Sequence, residues 1–264
     1  MFLEHLLHKF PQMNWEITFL KNNKLKATLS SRAKKRKYPI RNLRYWFINQ
    51  FLQNEYLARS APLTICEVGI DSGQMLQFVN SVRDIKGRGN NNLRWSSWVG
   101  VDCCVKKNKV DSLGYTKLIQ LNIEESSNWI TNDYDIIIML HTLEHLYYPE
   151  TMVAKIAQKM KPNSVLVGGF PSVPHWCEKF RESKIRKNPH FVRGHVSVFS
   201  STRIKKIAKN NRLQLEFISG AYFMRSSGFF LEDYAWWLRI NLLFGALFPS
   251  WPGEIYWIMR KSSK

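Results

Sequence analysis

Apolar residues recur along this chain with two periods, and the switches between them mark out its elements. Runs of strand length stand at Ile65–Val68, Trp98–Asp102 and Ile136–Leu140, each closed by a glycine, an acid or a polar residue. Over Ile40–Leu52 the period is helical: Leu43, Trp46, Phe47 and Phe51 form a stripe, which Pro62 ends and which is expected to pack on the domain. A second helix is expected over Glu150–Met160, with Met152, Val153, Ile156 and Met160 on its buried side. Leu213–Ile218 alternates like a half-exposed strand, with Ile255–Met259 as its expected partner. Lys86–Asn92 is rich in glycine and asparagine and reads as a surface loop. The aromatic segment Phe229–Phe248 is interrupted by Arg239 and Asn241 and stopped by Pro249. It falls short of the roughly 20 apolar residues a spanning helix needs, so a packed, lid-forming or interfacial helix is expected. Residues 1–61 read as an N-terminal extension with a helix, and 62–264 as the main domain.

Candidate chemistry begins where the first strand ends. In Ile65–Leu76 an apolar strand runs into a glycine turn and then into a helical pattern, an arrangement that holds nucleotide-type cofactors. Gly69 and Gly73 remove side chains where backbone must approach a ligand, and Glu67 leaves a carboxylate at the strand end. The second strand closes on Asp102, the residue type that accepts from a ribose diol.

These segments, in this order, resemble the Rossmann-like class of S-adenosylmethionine-dependent methyltransferases, over about residues 62–260. The family's first motif is acid-x-Gly-x-Gly-x-Gly; Glu67, Gly69 and Gly73 match it, while Asp71 replaces the middle glycine. Aspartate tolerates left-handed backbone better than most residues, so the turn is expected to survive. The resemblance implies an α/β fold: a seven-stranded, mostly parallel sheet flanked by helices, with the last strand antiparallel. It implies cofactor contacts from Glu67, Gly69, Ile70, Asp71 and Gly73, from Asp102 and Cys103, from Asn122 and Ile123 after the third strand at Leu118–Ile123, and from His141. Asn122 stands where the family has an adenine-side aspartate. Pro162–Asn163–Ser164 replaces the usual Pro-Gly-Gly ahead of the fifth strand, a variant compatible with a turn.

Charge adds a partner to this picture. The chain carries a formal net charge of +19, and Lys21–Arg44 holds many cations, among them Arg32, Lys34, Lys35, Arg36 and Lys37, and no acid. Such a run suits RNA, an anionic bilayer or a phosphorylated substrate. A second cationic cluster at Lys179–Arg193 falls where the resemblance places a substrate mouth. An anionic small-molecule, saccharide or lipid-linked acceptor is expected, with nucleic acid as second choice. Met1–His5 puts an acid and a histidine where a secretion signal would be apolar, which favours the cytoplasm, with peripheral contact at the inner face of the membrane. Cys66, Cys103, Cys104 and Cys177 lack Cys-x-x-Cys spacing and read as buried reduced thiols.

One pattern points to other chemistry. His141–Thr142–Leu143–Glu144–His145 matches H-x-x-E-H, a zinc-peptidase signature that needs both histidines on one helical face. His141 directly follows an apolar strand, so that geometry is expected to fail and no metal is assigned. Bland readings stay beside the chemical ones: Glu144 and His145 capping the next helix, or strand-exit residues lining the pocket between donor and acceptor. If the acceptor is a hydroxyl, a base must take its proton, and His145 and His195 are the candidates. His195 resembles a histidine that sugar, lipid and quinone methyltransferases carry before their last helix, here Ser200–Asn211. No Asn-Pro-Pro-aromatic segment follows the fourth strand, which leaves an oxygen or carbon acceptor ahead of nitrogen. An RNA methyltransferase using the basic arm, and a cofactor-binding homologue without turnover, stay open; Asp71 and Asn122 motivate the latter.

Overall fold

The computed structural model describes residues 29–83, 93–188, 194–224 and 227–263. The expected loop Lys86–Asn92, the N-terminal residues Met1–His5, and parts of both basic clusters (Lys21–Lys26 and Arg193) lie outside them. In chain order the elements are α1 (Ser31–Lys34), α2 (Leu43–Arg59), β1 (Leu63–Val68), α3 (Gln74–Arg83), β2 (Trp95–Asp102) and α4 (Lys107–Val110). Then come β3 (Lys117–Gln120), β4 (Ile136–Leu140), α5 (Pro149–Lys159), β5 (Val165–Ser172) and α6 (His175–Lys187). The chain ends with α7 (Ser201–Asn210), β6 (Leu213–Gly220), α8 (Ala235–Leu247) and β7 (Gly253–Lys261).

The seven strands form one sheet in the order β3-β2-β1-β4-β5-β7-β6. β1 to β5 pair in parallel, whereas β7 runs antiparallel to both β5 and β6. Strand alternation builds a core on each face. In β4, Ile136 and Ile138 face one side with Trp46, Phe47, Phe78 and Leu238, while Ile137 and Met139 face the other with Met152, Ile156, Phe199 and Ile204. β1 and β4 are neighbours whose chain connections leave in opposite directions across the sheet, so their carboxyl ends open a crevice.

Local chemistry sets several boundaries. Pro149 opens α5, where a missing N–H costs nothing, and the Ser200 hydroxyl caps α7 by accepting from the Arg203 N–H at 3.1 Å. α8 lies against β6 because Gly220 and Gly245 meet there: a Cβ on Gly245 would stand 2.0 Å from the Gly220 carbonyl oxygen. Asn241, which interrupts the apolar pattern, is buried; its Oδ1 accepts from the Phe223 N–H at 2.9 Å and its Nδ2 donates to the Trp237 carbonyl. α2, from the N-terminal extension, contributes Trp46, Phe47 and Leu52 to the same core as the sheet.

Within α8, Trp237 packs inward while Trp236 is 48% exposed. Two expectations change. Of the cysteines only Cys66 is buried, and Cys103 and Cys104 are exposed beyond the end of β2. The described part of the basic run is docked on the domain, although Arg32, Lys34, Lys35 and Lys37 keep their side chains exposed. Arg36 pairs with Asp233 at 2.7 Å, the Lys37 N–H donates to Asp233 Oδ1, and the Ile40 N–H donates to Glu232 Oε2, which docks the run onto the segment entering α8. No helix among the described residues is long and apolar enough to cross a membrane.

Candidate active site

The turn after β1 has the backbone its residues foreshadow. Gly69, Asp71 and Gly73 lie at φ +79°, +47° and +69°, so aspartate does adopt the left-handed conformation in the middle position. The Gly69 N–H donates to the Val101 carbonyl at 2.8 Å, and a Cβ there would stand 2.4 Å from Thr142 Oγ1. Gly73 backs onto Leu113, which a Cβ would meet at 2.4 Å, and onto Val110, so its role is to let the start of α3 pack against the Val110–Leu113 segment. Asp102 binds the same turn: its carboxylate accepts from the Asp71 and Cys104 N–H groups, both at 2.9 Å. Lys106 reaches across to pair with Asp71.

Two cavities meet over this turn. The larger, about 450 Å³, is lined by Asp102, Cys103, Asn122, Ile123 and Tyr147. The smaller, about 250 Å³, is lined by Arg44, Tyr45, Glu67, Ile70 and Gln74. Val68, Gly69, Asp71, His141 and His145 belong to both walls. Asn122 is exposed and its amide serves its own turn, with Oδ1 accepting from the Glu124 N–H and Nδ2 donating to Glu125. Gly73 stands behind the cavities, and His195 lines a third cavity of about 240 Å³ with Glu144, Arg181 and Ser197.

Glu67 sits under the floor of the smaller cavity. Its Oε2 accepts from Trp98 Nε1 at 2.9 Å and the Tyr115 hydroxyl at 3.0 Å. Burial pushes its carboxyl up to about 7, against the lowering effect of those two donors. An acid whose pKa is raised on folding binds more protons folded than unfolded between its two values, so stability falls as pH rises through that window. Wild-type stability should therefore drop between about pH 4.5 and 7. Glu67→Gln, which keeps an acceptor oxygen, should remove that slope and gain up to about 3 kcal/mol at pH 8. Urea unfolding at pH 5 and pH 8 measures it, and equal gains at both would contradict the assignment.

His141 is held at φ +57° at the exit of β4. Its Nδ1 lies 2.9 Å from Glu144 Oε1 and its Nε2 3.0 Å from Glu254 Oε1, ion-pair distances without hydrogen-bond alignment. Burial and the Arg44 charge work to lower its pKa; Glu254 and Glu144 outweigh them and raise it. Behind it, Arg44 pairs with the fully buried Glu254 at 2.8 Å, and Tyr222 and Tyr256 donate to the same carboxylate. Neither Arg44 nor Glu254 stood out in the sequence. The signal was present: a cation inside an otherwise apolar helical stripe, and an acid at the head of an apolar strand, require each other once both are buried.

Glu144 and His145 do not cap α5, whose first turn has no side-chain cap; Glu144 turns inward to His141. His141 and His145 lie on different elements, as expected from the strand exit. His145 Nδ1 stands 3.2 Å from the Gly194 carbonyl, and its ring meets that of His195 edge-on with centroids 4.8 Å apart, so the two proposed bases are neighbours. In the second cationic cluster Arg186 is committed internally: it pairs with Glu182 and donates to the Val196 and Tyr147 carbonyls.

A profile described as a methyltransferase domain matches residues 28–216. No curated protein sequence matches the chain. Among solved structures, the plantazolicin methyltransferase BamL, in complex with a triazolic desmethylPZN analogue and SAH, superposes with a TM-score of 0.54 at 15% identity, covering 99% of this chain and 97% of that one. A putative sarcosine dimethylglycine methyltransferase from Galdieria sulphuraria gives 0.54 at 13% identity over 82% of this chain and 86% of its own. A SAM-dependent methyltransferase from Archaeoglobus fulgidus gives 0.50 at 15% identity, over 82% and 94%.

Proposed function

This chain belongs to the class I S-adenosylmethionine-dependent methyltransferases, and from that premise we propose that it methylates an oxygen or carbon atom of an anionic saccharide or lipid-linked acceptor. The observation that carries the site assignment is the meeting of two cavities over the left-handed turn Gly69–Gly73. The residues fit the cofactor: the larger cavity is within the range of ligand pockets, an acid stands at its rim, and Gly69 gives both cavities a wall without a side chain. The cofactor supplies a methyl group that is already electrophilic, so the chain's task is alignment rather than activation. In this reading Gly69, Ile70 and Glu67 bound the methionine side, while Asp102 accepts from the ribose, held in place by the Asp71 and Cys104 amides. Cys103, Asn122 and Ile123 border the adenine side. His145 or His195 takes the proton of a hydroxyl acceptor.

Asp102→Ala should weaken binding of S-adenosylhomocysteine by about 1.5–3 kcal/mol, the loss of a charged hydrogen bond. Calorimetric titration measures it, and unchanged affinity would remove Asp102 from the site.

The lipid-linked reading rests on the docking of the basic run against α8. The outer face of α8 shows Trp236, Ile240 and Leu243, while Arg32, Lys34, Lys35 and Lys37 are exposed on the run packed beside its entry. Each cation near an anionic bilayer contributes about 1 kcal/mol, and an exposed tryptophan suits the headgroup level. The protein should sediment with anionic vesicles and not with neutral ones, and Trp236→Ala should weaken that association. Tight RNA binding at matched salt, with indifference to vesicles, would make RNA the acceptor instead.

A further inference from the structure

We infer that the outer face of α6 is a docking surface for an anionic lipid bilayer. At about 3.6 residues per turn, Trp176, Phe180, Ser183 and Lys187 fall on one stripe, with Lys179 and Lys184 to either side, and all six are exposed. The buried Glu178 and Ile185 lie on the opposite side of the helix, against the domain. Trp176 is 85% exposed and Phe180 76%, more than any other large apolar side chain among the described residues. Single exposed apolar residues are ordinary, whereas two aromatic rings on successive turns of one helix make a patch.

Charge names the partner. Both acids of α6 turn inward. Glu182 pairs with Arg186 at 2.8 Å and with Arg203 and accepts from the Val198 N–H, while the buried Glu178 stands 4.0 Å from Arg203. The outer face therefore carries Lys179, Lys184 and Lys187 and no carboxylate. Aromatics in the middle and cations around them are the arrangement of a helix lying in a headgroup layer, where the rings enter the boundary and the lysines reach lipid phosphates.

Shape separates a bilayer from other partners. Neither Trp176 nor Phe180 lines any of the three cavities above. Single-stranded nucleic acid that stacks on aromatics is held in a cationic groove, and a helix received in a protein groove carries apolar anchors over about two turns. After Phe180 the stripe of α6 continues instead with Ser183 and Lys187. A lipid surface needs neither the groove nor the further anchors.

This inference rests on the lipid-linked reading and deepens it. Arg181 and Ile185, on the inner part of α6, line the third cavity. Seating the outer face on lipid brings that cavity to within one helix diameter, about 10 Å, of the headgroups. The acceptor class is then a lipid whose anionic head meets Arg181 while its chains stay in the bilayer.

The test uses full-length protein sedimented with vesicles of phosphatidylcholine alone or of phosphatidylcholine mixed with phosphatidylglycerol, with S-adenosylhomocysteine affinity measured by calorimetry in parallel. The wild type should bind the mixed vesicles only. Trp176→Ala with Phe180→Ala should weaken that binding about tenfold, and Lys184→Gln with Lys187→Gln by a similar factor that shrinks as salt is raised. These four side chains are exposed, so both variants keep the core, and S-adenosylhomocysteine affinity should stay as in the wild type. Vesicle binding that both α6 variants leave unchanged overturns the α6 surface and leaves the lipid-linked reading standing on α8. A wild type that ignores the mixed vesicles removes both. Single-stranded RNA binding that the aromatic variant abolishes, in a protein indifferent to vesicles, assigns the face to nucleic acid instead. Loss of S-adenosylhomocysteine binding in the wild type would remove the methyltransferase reading and leave the vesicle result standing.

Discussion

Gly69→Ala should abolish measurable cofactor binding and lower the free energy of unfolding by on the order of 2–4 kcal/mol. Two costs combine. The backbone stands at φ +79°, where a side chain costs about 1–2 kcal/mol. The new Cβ would also lie 2.4 Å from Thr142 Oγ1. Thr142 is not free to turn away, because its hydroxyl donates to the Val68 carbonyl at 2.7 Å and so ties the β4 exit to the β1 exit. Relief of the clash therefore moves one of the two strand ends that frame the crevice. Thr142→Ala in the same chain removes the clash but not the backbone strain, so the double variant should recover part of the stability. Urea unfolding and calorimetric titration with S-adenosylhomocysteine give both readouts. Wild-type affinity in Gly69→Ala would mean that this turn is not where the cofactor lies.

Arg44→Ala should be the most destabilising change of a charged residue, by about 3–5 kcal/mol, because it strands a buried carboxylate. Glu254 is 1% exposed, and with Arg44 gone its charge is met by His141 and two tyrosine hydroxyls. The size of that loss measures the cost of an unpaired charge, not the net worth of the pair. Arg44→Met combined with Glu254→Leu should therefore be far milder than Arg44→Ala alone, since neither charge then needs solvating. Guanidinium unfolding of the three proteins decides it. Equal losses for the single and double variants would show that Arg44 acts through packing of its stem and not through charge.

How far the sequence reaches differs along the site. The turn from Ile65 to Phe78 was legible because its requirements are local. Left-handed backbone admits only certain residue types, and Gly69, Asp71 and Gly73 are among them. The expected failure of His141 and His145 to share a helical face came from the same source, a strand that must end before a helix starts. Asn122 shows the limit of a matched position: its residue type suits an adenine contact, yet Glu124 and Glu125 engage its amide first.

By itself the sequence determined the alternation of strand and helix, the left-handed turn at the first strand's end and the acid after the second, since each rests on backbone sterics and side-chain periodicity within a few residues. Only the tertiary structure decided which distant groups meet. Arg44 reaches Glu254 from 210 residues away because α2 and β7 share one core, and the basic run reaches Asp233 because two acids there accept its amides. Glu144, His145 and His195 converge because the Val196 and Ser197 N–H groups both donate to the Glu144 carbonyl, pinning a late segment against the exit of β4. A buried polar group must find a partner wherever the fold supplies one, and no local pattern in the chain says where that is.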